Sequence, residues 1–242
     1  MRWIYLSPHF DDAVLSCGGL IFEQAHQAIQ VEIWTILAGG PPPGPLSTFA
    51  QENHTLWGTG SGEETVSLRK EEDQAAAAIV GAELVHFDFP DCIYRRSPKG
   101  EALYNETVMT FPHPADRKFP GRIAALLRSE LRKDDVLVCP LSLGGHIDHI
   151  LVRQAAESLR QPLLYYADVP YVLNNPETLE PATTALKNQL YPVSETGLAA
   201  WLEGVAAYRS QVASLFKGQG TLSGAIRAYW ASQRGIRLWR IH

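Results

Sequence analysis

Two rhythms of apolar residues alternate along the first two thirds of the chain. Short unbroken apolar runs read as buried strands at Arg2–Leu6, Val31–Leu37, Leu84–Phe87, Val136–Cys139 and Leu163–Tyr166. Between them lie stretches with helical spacing. Ala13–Ala28 carries Ala13, Leu20, Ile21 and Ala25 near that spacing, Thr65–Val80 is alanine-rich and closed by Gly81, and Arg122–Arg132 and Asp148–Leu159 follow. This order predicts an α/β fold with a Rossmann-like, doubly wound, mostly parallel sheet of strand order near 3-2-1-4-5. From about Leu186 the tail reads as two helices and a short strand, Ile236–Ile241. The expectation is a single domain over 1–242, with an α/β catalytic core at 1–170 and a C-terminal helical extension at 171–242 packed on it.

Two intervals break the rhythm. Gly39–Glu64 contains GGPPPGP and GTGSG, and Asp88–Phe119 contains Pro90, Pro98, Pro112 and Pro114, so both read as irregular. Each follows a strand and would lie at the carboxyl edge of the sheet. Loops of that length in a compact domain usually serve function.

Composition narrows the picture in a few places. With 242 residues, 45% hydrophobic and 19% charged, the chain can bury a full core. Its net charge of −5, without a basic stripe, argues against nucleic acid as a partner. Cys17, Cys92 and Cys139 are odd in number and widely spaced, which suggests reduced thiols and a cytoplasmic protein. Asp11 and Asp12 interrupt the N-terminal apolar run, so it does not read as a signal peptide, and no stretch is apolar enough for an integral membrane segment.

The candidate chemistry sits where strands give way to helices. SPHFDDAVLSCGG, Ser7–Gly19, places His9, Asp11 and Asp12 just after the first strand. CPLSLGGHIDHILVRQA, Cys139–Ala155, places His146, Asp148 and His149 after the fourth. In the expected sheet these strands are neighbours, and the crevice between them is the switch point where ligands bind. Burying two adjacent carboxylates is costly unless something compensates them. Two histidines and a carboxylate form the ligand set of many catalytic zinc sites, with a further position left for water. A cation there would neutralise one carboxylate and lower the pKa of its water to roughly 7, while the neighbouring Asp acts as general base. Each half has an ordinary alternative: Asp-Asp as helix cap and first-turn charge, His-x-x-His as surface or core. Gly18 and Gly19 have one too, as a site of close helix packing, and no G-x-G-x-x-G pattern marks a nicotinamide site.

At these residues the chain resembles the PIG-L/LmbE-like zinc-dependent N-deacetylases, which act on N-acetylglucosamine (GlcNAc)-type sugars. The family signature Pro-His-Pro-Asp-Asp-Glu stands here as Pro8-His9-Phe10-Asp11-Asp12-Ala13, and His-x-Asp-His as His146-Ile147-Asp148-His149. LRKEEDQAAAAIVGAE, Leu68–Glu83, looks like the family's Arg-x-x-Glu helix ending in Gly. The resemblance covers about residues 1–170. It implies His9, Asp12 and His149 as ligands of Zn2+ (Fe2+ or another divalent metal in its place) and Asp11 as general base. It implies His146 as stabiliser of the oxyanion or donor to the leaving amine, Asp148 as the group orienting an imidazole, and Arg69 as a contact to substrate phosphate or carboxylate. Phe10 and Ala13 depart from the pattern, which should alter loop stiffness and outer hydrogen bonding rather than ligation. The implied reaction is hydrolysis of an N-acyl, typically N-acetyl, group on an amino sugar or glycoconjugate. A metal-dependent amidase or esterase on a non-sugar, and a sugar-binding module without catalysis, stand as alternatives. His54, Trp57, Asp91, Tyr94, Arg95, Tyr166 and Asp168 are candidate substrate contacts from the loops. A homo-oligomer is compatible with the family.

Overall fold

The computed structural model describes residues 1–159, 161–215 and 220–241. The elements run β1 (Arg2–Ser7), α1 (Asp12–His26), β2 (Gln30–Thr35), α2 (Thr48–Leu56), α3 (Gly62–Val80), β3 (Glu83–His86), α4 (Phe119–Glu130), β4 (Val136–Pro140), α5 (Ile147–Ser158) and β5 (Leu163–Tyr166). They continue with α6 (Tyr171–Asn174), α7 (Leu179–Thr183), β6 (Lys187–Pro192), α8 (Glu195–Ala207), α9 (Arg209–Leu215), α10 (Leu222–Gln233) and β7 (Gly235–Arg240). The sheet has order β3-β2-β1-β4-β5-β7-β6. β1 to β5 are parallel, so the predicted 3-2-1-4-5 order holds, and β7 and β6 extend it antiparallel. The central strands β1 and β4 are almost entirely buried, as their continuous apolar sequence requires.

Local chemistry accounts for most boundaries. Gly81, at φ 76°, closes α3 in the left-handed conformation that glycine adopts without strain. Ser47 and Ser61 cap α2 and α3 by accepting the backbone N–H groups of Ala50 and Glu64. Those caps correct one expectation: the Gly39–Glu64 interval contains all of α2 and the first turn of α3. The Ser-x-x-N–H caps stabilise helix where the flanking Gly-Pro clusters suggest only loop.

The tail also differs from expectation. Among the described residues it contributes two strands and three helices from Lys187 onward. β6, of sequence KNQLYP, is mostly exposed and lacks a buried face, so its pattern carries no strand signal. Its ladder with β7, from Lys187 opposite Arg240 to Pro192 opposite Gly235, makes it a strand. α8 lies across α1, where Gly18 and Gly19 allow close approach. A Cβ on Gly18 would stand 2.6 Å from Trp201 Cδ1, and one on Gly19 2.8 Å from Val193 Cγ1.

At the sheet's amino edge, Arg2 is a buried cation held by Glu32 of β2 and by Asp135, just before β4. Its Nε and Nη2 donate to Asp135 at 3.0 and 2.7 Å, and its Nη1 donates to Glu32 at 2.9 Å. Full pairing is what makes this buried charge tolerable. The three cysteines are free and buried.

Candidate active site

The pairing of β1 with β4 brings the two His/Asp loops together at the carboxyl edge. The first loop is a tight polar turn. Ser7 Oγ donates to the His9 carbonyl at 2.6 Å and accepts the Ala13 N–H at 3.0 Å, while Asp12 Oδ2 accepts the His9 N–H at 2.7 Å. These bonds satisfy the backbone of the turn and turn His9 and Asp12 to the same side. In the second loop Ser142, Gly144 and Gly145 all have positive φ. Gly144 is also crowded: a Cβ there would meet Tyr171 Cδ1 at 2.4 Å, so a side chain would displace a wall of the cleft. His146 caps α5, its Nδ1 accepting the Asp148 N–H at 3.1 Å.

Within the site Asp12 stands between two imidazoles. Its Oδ2 is 3.3 Å from His9 Nδ1 and its Oδ1 is 3.2 Å from His149 Nε2. The far nitrogen of each imidazole is held by a carboxylate: His9 Nε2 lies 3.0 Å from Asp148 Oδ2, and His149 Nδ1 lies 2.7 Å from Asp168 Oδ1. Protons on those far nitrogens leave His9 Nδ1 and His149 Nε2 as lone pairs facing Asp12. His149 Nε2 is buried and has no hydrogen-bond partner among the described residues. Ligands held at about 2.0–2.1 Å in a tetrahedral zinc site stand roughly 3.3 Å apart. The two contacts of Asp12, made through different oxygens, are near that length, and with the orphaned imidazole nitrogen they make His9, Asp12 and His149 the residues that would hold a divalent cation.

Among the described residues three combinations have ligand atoms all within 4.8 Å of one another, none of them including Asp12: His9, His146 and His149; Cys92, His146 and Asp148; and His9, Asp91 and Asp148. Hydrogen bonding disfavours each. His146 Nδ1 accepts a backbone N–H, which puts the neutral ring's proton on Nε2 and leaves no lone pair there. Asp148 is saturated, with Oδ1 accepting from Arg95 Nη1 and Oδ2 meeting His9 and the Cys92 N–H. Burial pushes the Cys92 thiol well above its ordinary range, which removes the thiolate.

Electrostatics point the same way. Burial favours neutral imidazoles, yet nearby carboxylates overcome it. Asp91, Asp12 and Asp148 hold His9 well above its ordinary value, and Asp12 and Asp168 raise His149 to about 9. Without a metal, protons therefore occupy positions suited to a cation. His146 is pulled the opposite way, well below its usual range, by burial and by the adjacent His9 and His149. Asp11 is pushed up to about 6 by burial, opposed chiefly by the cation of Arg69.

Arg69 is a structured part of this site. Its guanidinium lies 5.2 Å from the Phe10 ring and 5.1 Å from the Trp57 ring, between two aromatic faces. Its Nη2 is 3.5 Å from Asp11 Oδ1 and its Nη1 is 4.0 Å from Asp91 Oδ2. Phe10, which departs from the family's proline, thus serves as a platform for Arg69.

The cleft above the site holds about 260 Å³ and is lined by His9, Asp11, Asp12 and His146 together with three of the candidate contacts, Trp57, Arg69 and Asp91. The other five candidates do not line it. Tyr166 is fully buried and its hydroxyl donates to the Leu6 carbonyl at 2.9 Å. Asp168 is buried behind His149 and accepts the Leu143 N–H at 3.0 Å. His54 Nε2 and the Tyr94 hydroxyl meet each other at 2.7 Å, and Arg95 faces Asp116 and Asp148. A polar side chain in a loop can contact substrate or be buried with a partner, and these five are buried with partners. Sequence reasoning missed Met109 of the second long loop, and Gln211, Ser214 and Leu215 of α9, which line the cleft together with Tyr171 of α6. The bridge between Met109 and His146 was unreadable because it joins two irregular segments.

These features place a cluster of histidines and carboxylates, a possible metal site, at the switch point of an α/β sheet, and the family follows. The chain belongs to the PIG-L family of GlcNAc-PI de-N-acetylases, whose profile matches residues 4–159. Its relatives include a 2'-N-acetylparomamine deacetylase of Niallia circulans, 29% identical over 99% of this chain and 94% of the relative. An enzyme of the same name from Streptomyces fradiae is 28% identical over 70% of this chain and 57% of its own length. Among solved structures, the zinc-inhibited form of teicoplanin deacetylase Orf2 superposes with TM-score 0.85 at 27% identity, covering 99% of this chain and 97% of that one. No helix among the described residues is long and apolar enough to cross a membrane.

Proposed function

We propose that the chain is a zinc-dependent N-deacetylase that releases acetate from an N-acetylated amino sugar of an aminoglycoside or glycopeptide. The observation that carries this reading is the Asp12 carboxylate between His9 Nδ1 and His149 Nε2, with Asp11 and His146 lining the same cleft. The reading is supported by the deacetylase relatives, which align over nearly the whole chain.

His9, Asp12 and His149 would hold the ion. When bound, it supplies Lewis acidity to the amide carbonyl and acidifies a water. Asp11, on the cleft wall beside Asp12, takes that water's proton. The Nε2–H of neutral His146 is free to donate to the carbonyl oxygen as charge develops on it. Arg69, clamped between Phe10 and Trp57, keeps Asp11 ionised and presents a cation to the substrate. Asp148 and Asp168 keep the two imidazoles in the ligating tautomer.

The test is metal content and acetate release, measured together on the wild-type chain and on His9→Ala and His149→Ala. The expected result is about one zinc per wild-type chain, lost in both variants, with acetate released only by the metal-loaded wild type. Zinc retained in both variants, or no acetate from any N-acetylated aminoglycoside or glycopeptide, overturns the reading.

A further inference from the structure

The three-residue turn Cys92–Tyr94 and the residues beside it form a wall between two cavities. Asp91, Cys92 and Ile93 line the metal-site cleft, while Pro90, Tyr94 and Arg95 line a second cavity of about 410 Å³. The second cavity is lined by four cationic side chains, Arg95, Arg96, Lys118 and Arg122, against two carboxylates, Asp88 and Asp116. Asp116 is already engaged, accepting from Arg95 Nε at 2.9 Å and from the Tyr104 hydroxyl at 2.7 Å.

Arg96, Lys118 and Arg122 have no carboxylate within ion-pair distance among the described residues. Arg96 instead donates to the carbonyls of Pro43 and Pro45. Arg95 is 5% exposed, its guanidinium stacked on the Phe119 and Tyr104 rings at 4.7 and 5.4 Å. Its Nη1 is held by Asp148, but its Nη2 is buried without any partner among the described residues. A buried guanidinium N–H left unsatisfied is costly, and planar guanidinium groups suit phosphate oxygens.

We propose that this second cavity is an anion site for a phosphate group, recognised by Arg95, Arg96, Lys118 and Arg122. It is separate from the hydrolytic cleft and shares no lining residue with it. A dianion there would balance the unpaired cations of Arg96, Lys118 and Arg122, beside the Arg95 guanidinium on the cavity wall. Free phosphate and the phosphate of a phosphorylated sugar share this chemistry.

The experiment measures thermal stability of the metal-loaded protein against inorganic phosphate and against a hexose 6-phosphate. Sodium chloride holds ionic strength constant, because exposed cations respond to salt alone. Wild type and the Lys118→Glu, Arg122→Glu double variant are compared. Both positions are exposed and outside the hydrolytic cleft, so the variant should fold and keep its metal. The expected result is a saturable rise in Tm for wild type, with apparent affinity at least tenfold weaker in the variant. Tighter binding of the sugar phosphate would assign the cavity to a phosphorylated metabolite, and equal or weaker binding to free phosphate. An equal response of wild type and variant would place phosphate on the metal instead and overturn the proposal, as would no response in wild type at constant ionic strength.

Discussion

Asp168 Oδ1 lies 2.7 Å from His149 Nδ1, and both residues are buried. The contact joins the loop after β5 to the first turn of α5 and determines which nitrogen of His149 faces Asp12. Asp168→Asn retains the shape while losing the charge that secures this tautomer. Zinc affinity should fall by about 10- to 100-fold, as for other carboxylate partners of ligating imidazoles. Competition against a chromophoric chelator checks this, and unchanged affinity would remove Asp168 from the metal site.

Asp11→Asn tests the base directly. Turnover should fall by about 10²- to 10⁴-fold, while zinc content measured by mass spectrometry stays that of wild type.

The same carboxylate sets the acid limb of the rate. Burial holds Asp11 up at about 6 in the metal-free site, and Arg69 opposes that rise. A base works deprotonated, so kcat/KM should climb as pH rises through this group's pKa. A cation on neighbouring Asp12 stabilises the charged form, so the limb should fall at or below pH 6. Arg69→Met removes the opposing cation, and its limb should move to higher pH in a pH–rate profile.

Trp57 forms one side of the Arg69 clamp and lines the cleft. A cation–π contact contributes about 0.5–2 kcal/mol, so Trp57→Leu should lower kcat/KM by about 2- to 30-fold, with Trp57→Phe recovering most of it. Equal losses in both variants would assign Trp57 to substrate stacking rather than to the clamp.

Far from the site, Asp135 anchors Arg2. Burial works against its charge, but hydrogen bonds from Arg2 and the Arg132 N–H hold its carboxyl below the ordinary value. A lowered folded-state pKa stabilises the protein above the unfolded-state value of about 3.9, and that stabilisation disappears as pH falls through the folded-state value. Asp135→Asn should therefore cost about 1–3 kcal/mol at pH 7, and the deficit should shrink as pH falls from 5 toward 3. Urea unfolding across that range measures it.

The sequence alone determined the alternation of β1 to β5 with α1, α3, α4 and α5, and the two loops bearing His9, Asp11, Asp12, His146, Asp148 and His149. Those features are local: apolar periodicity, a glycine stop after α3, and polar residues where a buried strand ends. Parallel order followed from the chain's rhythm, and it placed β1 beside β4. Tertiary structure decided the partners. The local pattern around Asp168 and Arg95 resembles that of an exposed loop, yet packing buries one behind His149 and the other behind Asp148. It also made β6 a strand through its ladder with β7 and brought Gln211 and Leu215 of α9 to the cleft. A polar side chain's role depends on what desolvates it and what it pairs with, and residues far along the chain supply both.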